Sequence, residues 1–425
     1  MTMQTRQSAF LPSCEAVVQW SRAKESWAGR SCCLRSSILV KHVAVRTLPS
    51  MKIQVPGSFT LFPLLNYDVS TGLKVVNIPG VSKAPRRRLF VFISIALAVL
   101  AFLRRRAMRL ALRKPYSRPN LDNEIADFYD KRSAAWEAVW GEHMHHGLYF
   151  GSGGSKDNPK RGREAQVETM EELLRISGLT SPERLGPNPK ILDVGCGIGG
   201  ASRFLARKFP TATVSGLTLS PFQASRAQEL NAQAGLDHRV SNVVCDALNS
   251  GIPDDTFDVV WSLESAEHMN DKHRLISECM RILKPGGKLL MVAWCMRESN
   301  PPLNEQEQFS LRKIMVEYCL PRLAPPSEYT TNMRRLGLRN VLQEDWTHRA
   351  APFWGEVAWS AAANSKGWKA FRQYGWPLVR SALAMRHVIS AIRQGCFKLT
   401  AFTASKPSLS EAQKEADRMA FLRDC

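Results

Sequence analysis

Two short stretches concentrate groups that can move a proton or hold a metal. In "WGEHMHHGLYF", residues 140–150, His143, His145 and His146 take three of four consecutive positions and account for three of the chain's nine histidines. In "SAEHM", Glu267 is followed directly by His268. A metal site would need a third ligand at proper spacing, and nothing near these histidines supplies one. If a helix runs on to about Gly147, His143 and His146 share a face at i,i+3, with Trp140 one turn earlier. That arrangement suits acid–base or orienting work on a substrate, and it equally suits a polar helix end with no chemistry. Glu267 and His268 are the competing pair, just past a predicted strand. Their plainer reading is a helix N-terminal turn, where a glutamate complements the dipole.

Groups of this kind act only when a fold holds them beside a ligand, and one segment points to such a fold. "KILDVGCGIGGASRFLARKF", residues 190–209, reads as a short apolar strand, a glycine-rich turn and a helix. Gly195, Gly197 and Gly199 let the backbone approach a ligand, and the helix N-terminus favours an anionic group. A lone glycine turn is weak evidence, because dinucleotide folds share it. Here further strands follow at the right intervals: "ATVSGLTLS", "RVSNVVCDAL", "FDVVWSLES" and "LKPGGKLLMVAW". Their alternation with helices predicts an α/β, doubly wound, Rossmann-like sheet with helices on both faces. A nicotinamide enzyme wants an acid on the second strand for the ribose hydroxyls. "GLTLSPFQ" has none.

The net charge of +20 suggests nucleic acid until it is mapped. Residues 1–114 hold 19 Lys/Arg and 3 Asp/Glu, leaving the rest of the chain close to neutral. No nucleic-acid partner is expected on that distribution. The ten cysteines form no C-x-x-C pair, and Cys196, Cys245 and Cys295 lie in or beside apolar runs, as reduced buried thiols do. Residues 1–50, rich in Ser and Arg with only Glu15 and Glu25 as acids, suit an organelle transit peptide. In the basic leader over 51–114, "RRRLFVFISIALAVLAFLRRR" carries an apolar run of 15 residues, Leu89–Leu103. As a helix it spans about 22 Å against a hydrocarbon core of roughly 30 Å. Arginines at both ends can snorkel, so membrane contact through 86–106 is expected, with no orientation set.

"DVGCGIGG", "GLTLSPFQASRA", "SLESAEHM" and "LKPGGKLLMVAW" resemble the S-adenosylmethionine-dependent class I C-methyltransferases related to sterol and cyclopropane-lipid enzymes. "FYDKRSAAWEAVWGEHMHHGLY" and "APFWGEVAWSA" resemble the gamma-tocopherol methyltransferases within that branch, and the similarity covers about residues 121–405. The sterol enzymes' Tyr-Glu-Tyr-Gly-Trp-Gly run is absent, which argues against a sterol. The resemblance implies S-adenosyl-L-methionine as cofactor, a lipophilic phenolic acceptor, and a plastid, membrane-associated location, with the endoplasmic reticulum membrane as alternative. It implies that Asp193, Gly195, Cys196, Gly197 and Gly199 hold the methionine moiety. Thr218 and Gln223, beside Leu219, would take the ribose contacts an acid usually makes. Asp246 and Ala247 would face the adenine, Tyr129 would close over the cofactor, and Ser262 completes the set. Thr218 and Gln223 also read as an ordinary helix start, with Ser220 capping and Pro221 in the first turn.

The expected organisation is an N-terminal helical cap over 115–155, a cofactor core over 156–300, a helical lid over 301–395 and a final strand with a polar tail over 396–425. Residues 301–345 read as helical segments. Residues 346–376 hold Trp346, Trp354, Trp359, Trp368 and Trp376, with Phe353, Phe371 and Tyr374. Most of these rings serve a subdomain core on the plainer reading. An insert there is also placed to cover the strands' carboxyl ends with apolar rings. Methylating a carbon ortho to a phenol needs in-line approach, loss of a phenol proton and loss of a ring proton, hence one or two bases. His143, His146, Glu267 and His268 are the candidates for that work. The sequence sets no oligomeric state.

Overall fold

The computed structural model describes residues 83–113, 116–117, 119–149, 162–356 and 375–424. The expected transit segment lies outside the described residues, as do Trp359, Trp368, Phe371 and Tyr374. Of the described residues, 106–424 belong to one compact unit and 83–105 to another. Helix α1 (Lys83–Arg113) supplies the whole described part of the second unit. Its large apolar side chains from Ile93 to Leu103 stand in the open, Leu100 and Phe102 each 63% exposed. Among the described residues no helix is long and apolar enough to cross a membrane.

In the larger unit the glycine-rich segment forms strand β1 (Lys190–Val194) and helix α4 (Gly200–Lys208). Ahead of them stand α2 (Leu121–Trp140) and α3 (Arg163–Ser177). After them come β2 (Thr213–Thr218), α5 (Pro221–Gln233), β3 (Val240–Val244), β4 (Phe257–Leu263), α6 (Lys272–Ile282) and β5 (Leu283–Met296). The chain ends in α7 (Glu305–Glu317), α8 (Pro326–Arg335), β6 (Arg339–Asp345), α9 (Thr347–Ala350), α10 (Trp376–Arg393), β7 (Phe397–Ser405) and α11 (Leu409–Asp424). Seven strands form one sheet in the order β3-β2-β1-β4-β5-β7-β6. The first five run parallel, and β7 lies antiparallel between β5 and β6. Helices cover both faces, so central strands read as continuous apolar runs: Leu289 through Ala293 are fully buried. Each leucine, methionine or valine among them contributes about 1.5–3 kcal/mol by leaving water.

Register lines up the carboxyl ends of the parallel strands. Val194 pairs with Leu217, and Thr218 with Val244. Between β1 and β4 the progression of strands across the sheet reverses direction, which opens a crevice at their carboxyl ends. Local signals fix the helices that border it. Ser220 caps α5 by accepting from the Gln223 N–H at 3.0 Å, and Pro221 takes the first helical position.

Two expectations change. Helix α2 stops at Trp140 rather than near Gly147, because Gly141 turns to φ +88 while its N–H closes on the Glu137 carbonyl. The histidines therefore lie on an irregular loop, and no helix face joins His143 to His146. Residues 339–345 are an edge strand rather than part of a helical segment. "RNVLQED" pairs on one side only and stays mostly exposed, so it carries no apolar alternation to announce a strand. The expected final strand is β7, whose antiparallel partners β5 and β6 both come from earlier in the chain.

Candidate active site

One pocket opens at the carboxyl ends of β1, β2, β3 and β4. It is lined from below by Asp193, Gly195–Ile198, Thr218–Ser220, Gln223 and Cys245–Leu248. Glu264, Ser265, His268 and Met269 line one side, and Tyr129 with the loop Glu142–His145 lines the top.

The floor is backbone. The N–H groups of Gly195 and Cys196 both donate to the Leu217 carbonyl, which bends the chain sharply off β1. A Cβ on Gly195 would come within 2.2 Å of the Ser265 Cβ, so the two turns can meet only through a glycine. Gly197 differs. Its φ of +55 is left-handed, and a Cβ there would face open pocket, with nothing nearer than Gln223 Nε2 at 3.9 Å. That vacant side is what a ligand lying along the turn requires, so the residues present fit S-adenosylmethionine. Gly199 caps α4 and is turned toward Arg203, outside the lining.

Polar side chains tie this floor together. Buried Asp193 accepts from Ser202 Oγ at 2.6 Å, and its burial pushes the carboxyl up to about 6 against the lowering effect of Ser202. Thr218 Oγ1 donates to Gln223 Oε1 at 2.8 Å, and Gln223 Nε2 donates to Ser133 Oγ at 3.0 Å. These bonds join β2, α5 and α2. Asp246 accepts from the Leu248 N–H at 2.8 Å and so shapes its own turn, with Ala247 and Leu219 completing the lining. Ser262 lies behind the wall, 2.9 Å from Ser265 Oγ, which itself donates to the Val194 carbonyl.

The opposite side collects titratable groups. Tyr129 Oη lies 2.7 Å from His268 Nε2. Burial first, then the charges of Glu267 and Glu264, raises the Tyr129 phenol above its ordinary value. Burial and then Lys272 hold His268 down to about 3, so the tyrosine is the donor and the imidazole is neutral. His143 is held down to about 3 by burial, His145 and Arg203. Glu267 is buried outside the lining, pushed up to about 8 by burial and by neighbouring Glu264.

His146 also sits outside the lining. Its Nδ1 lies 2.6 Å from Glu264 Oε2 and its backbone N–H donates to Glu264 Oε1 at 2.7 Å. Trp294 Nε1 donates to the same Oε2 at 2.7 Å. The rings of Phe353, Trp354 and Trp294 surround the imidazole at 4.6, 5.0 and 5.5 Å between centroids. Trp346, Phe353 and Trp354 are thus buried in the main core, as the plainer reading of the aromatic stretch expects. Glutamine and threonine side chains of α3 hold the loop from behind: Gln166 Nε2 donates to the carbonyls of His143 and His145, and Thr169 Oγ1 to that of His146.

Two residues were missed from sequence. Glu264, the first residue past β4, shares the stretch "SLESAEHM" with Glu267, and strand register alone would separate the glutamate facing the pocket from the one facing away. Arg203, 1% exposed, bridges floor and top: Nη2 reaches Glu142 Oε2 at 3.0 Å and Nη1 donates to the Ile198 carbonyl. A buried arginine in a helix next to a glycine turn was its only signal.

Residues 192–291 match the methyltransferase domain model. The probable chloroplastic tocopherol O-methyltransferase of Oryza sativa subsp. japonica is 40% identical over 297 residues, covering 69% of this chain and 80% of its own length. The chloroplastic tocopherol O-methyltransferase of Arabidopsis thaliana is 38% identical over 286 residues, covering 67% and 82%. A putative sarcosine dimethylglycine methyltransferase from Galdieria sulphuraria shares the fold, with a TM-score of 0.56 at 24% identity over 65% of this chain and 98% of its own. With its glycine cradle at the strand ends and that extent of likeness, the chain belongs to the tocopherol methyltransferase family of S-adenosylmethionine-dependent methyltransferases.

Proposed function

We propose that this methyltransferase adds a methyl group to a chromanol ring carbon of a tocopherol-type acceptor, as in conversion of a gamma- to an alpha-tocopherol. The observation that carries the reading is the 40% identity to the rice relative across 297 residues, a stretch that includes both the cradle and the histidine loop. The rice and Arabidopsis relatives carry the name O-methyltransferase. Carbon transfer is preferred here because the acceptor side holds buried proton-active groups beside the pocket. A phenol ring carbon becomes nucleophilic as its hydroxyl loses a proton.

S-adenosylmethionine supplies an electrophilic methyl on a sulfonium. In this reading Asp193, Gly195, Cys196 and Gly197 hold its methionine end, Thr218, Leu219 and Gln223 its ribose, and Asp246 with Ala247 its adenine. Tyr129, fixed by His268, closes the pocket from above and keeps water from the methyl. His143 and His268, held neutral, add no positive charge of their own beside the sulfonium. A plastid location follows the chloroplastic relatives, and α1 would bring the enzyme to the membrane that dissolves its acceptor. Exposed apolar residues from Ile93 to Leu103, set between arginine triplets, support that contact.

The test is incubation with labelled methyl donor and gamma- or delta-tocopherol, followed by location of the methyl in the product. A new ring methyl is expected. A methyl ether at the phenol oxygen would replace carbon transfer by oxygen transfer, and no product from any chromanol would end the reading.

A further inference from the structure

Glu264 combines features that a mere structural clamp does not need. It lines the pocket, its side chain is 4% exposed, and its backbone takes φ +53 immediately after β4. A left-handed non-glycine residue is strained and persists only where its surroundings enforce it. Here the enforcement is three donated hydrogen bonds: His146 N–H to Oε1, and His146 Nδ1–H and Trp294 Nε1–H to Oε2. Packing by Phe353 and Trp354 fixes the imidazole plane, and a carboxylate partner selects the tautomer protonated on Nδ1.

We propose that Glu264 is the catalytic carboxylate that receives the acceptor's hydroxyl proton, and that His146 is a positioning residue that aims it through Nδ1–H. This rests on the reading of a phenolic acceptor. Burial alone would push Glu264 up, but His146, His145 and Trp294 outweigh it and hold the carboxyl below its ordinary value. Other groups that face it are Glu267 from the following turn and Tyr129 from α2. The protonated forms of both at neutral pH leave Glu264 as the ionised acceptor among them.

The step balances as follows. The phenol O–H proton passes to Glu264 as the ring carbon forms its bond to the methyl carbon and the methyl–sulfur bond breaks with its electron pair on sulfur. The methylated dienone then loses its ring proton to solvent and becomes a phenolate. Glu264 returns its proton to that oxygen, and one proton is released per turnover. His146 neither gains nor loses a proton.

Single-turnover rates at saturating cofactor, measured from pH 6 to 10, test the assignment with wild type, Glu264→Gln, His146→Ala and His146→Asn. Glu264→Gln is expected to lose about 10²–10⁴-fold in rate with cofactor affinity little changed. Its residual rate should climb with pH toward the phenol's own ionisation near 10, while wild type stays level above neutrality. Asparagine sets an N–H near the place of imidazole Nδ1, so His146→Asn should recover most of the rate that His146→Ala loses. Near-normal turnover in Glu264→Gln, a loss that pH does not relieve, or an asparagine variant no better than alanine would overturn it. If Glu264→Gln does not fold, the alanine–asparagine pair alone decides. Wild type active on phenols alongside any of those results condemns only the assignment, whereas wild type inactive on every phenol overturns both it and the reading beneath it.

Discussion

Gly195–Ile198 and Glu264 line one pocket, yet they reach it by different means. The cofactor floor comes from turns that follow β1, β2 and β3, each within a few residues of its strand. Its shape is set by backbone: paired N–H groups on Leu217, a left-handed Gly197, a capped helix start at Ser220. The opposite side, where we propose the acceptor lies, is assembled from α2, the loop after it, the turn after β4, β5 and residues near 353. Its shape is set by buried side chains that hold one another. A local device tolerates surface change and fails at single glycines, whereas a device built from distant parts fails through its ties.

The largest effect that would expose this asymmetry is Gly197→Val. A β-branched residue at φ +55 carries strain of roughly 1–3 kcal/mol, and its side chain enters the open pocket. Calorimetry should find S-adenosylmethionine affinity lost by a hundredfold or more, about 2.8 kcal/mol, while far-UV circular dichroism stays native. Undiminished affinity would mean that the floor is not where the cofactor lies.

Arg203→Met attacks the tie between the two sides. Removing one partner of a buried pair costs about 3–5 kcal/mol, and since Glu142 is 27% exposed the lower end applies. Denaturant midpoints should fall accordingly, and both cofactor affinity and turnover should suffer, because Ile198 and Glu142 lose the same anchor. A variant that loses stability but keeps both functions would show the sides to be independent.

The floor was largely legible in the sequence; of the opposite side Tyr129, His143 and His268 were legible but Glu264 and the path of the histidine loop were not, and the physical reason is range. "DVGCGIGG" and "TLSPFQ" specify their own conformations through neighbours, so strand, turn and cap follow from adjacent residues. "EHMHHG" does not: Gly141 ends α2 at φ +88, and the loop's path depends on Gln166, Thr169 and Glu264, each about 20 or more residues away. A helical spacing read into those histidines had no helix to sit on. Strand β6 stayed hidden for a related reason, since an exposed edge strand needs only its partner's backbone and leaves no apolar alternation. The aromatic stretch was legible as dense and apolar, and its described rings pack where such rings would.

A smaller effect separates the two glutamates of "SLESAEHM". Glu267 is pushed up to about 8 in the fold, above the ordinary 4.5. The folded state therefore binds more protons than the unfolded one between those values, and stability is lost as pH rises through that window. Glutamine carries no such penalty. Glu267→Gln should match wild type below pH 4.5 and gain on it up to pH 8, by roughly one to a few kcal/mol. Urea midpoints at pH 4, 6 and 8 read this directly. A difference that does not change with pH would mean that Glu267 ionises freely, and the contrast with Glu264 would dissolve.

The smallest effect belongs to α1, which neither side of the pocket should notice. A chain beginning at Tyr116 loses the Arg109–Glu305 pair, whose side chains are 64% and 52% exposed, a contact of the kind worth about 0–1 kcal/mol. It keeps the packing of Tyr116, whose hydroxyl donates to the Leu320 carbonyl. Cofactor affinity and turnover of detergent-dispersed acceptor should stay near those of the full chain. Vesicle binding should not: each Lys or Arg near an anionic surface contributes about 1 kcal/mol, and two arginine triplets flank the apolar run. Sedimentation with anionic vesicles should therefore retain the full chain and release the shortened one, more so at low salt, where surface attraction is least screened. If the shortened chain binds cofactor normally but turns over no dispersed acceptor, α1 is a sixth contributor to the acceptor side, and that side is more widely assembled than the pocket lining alone indicates.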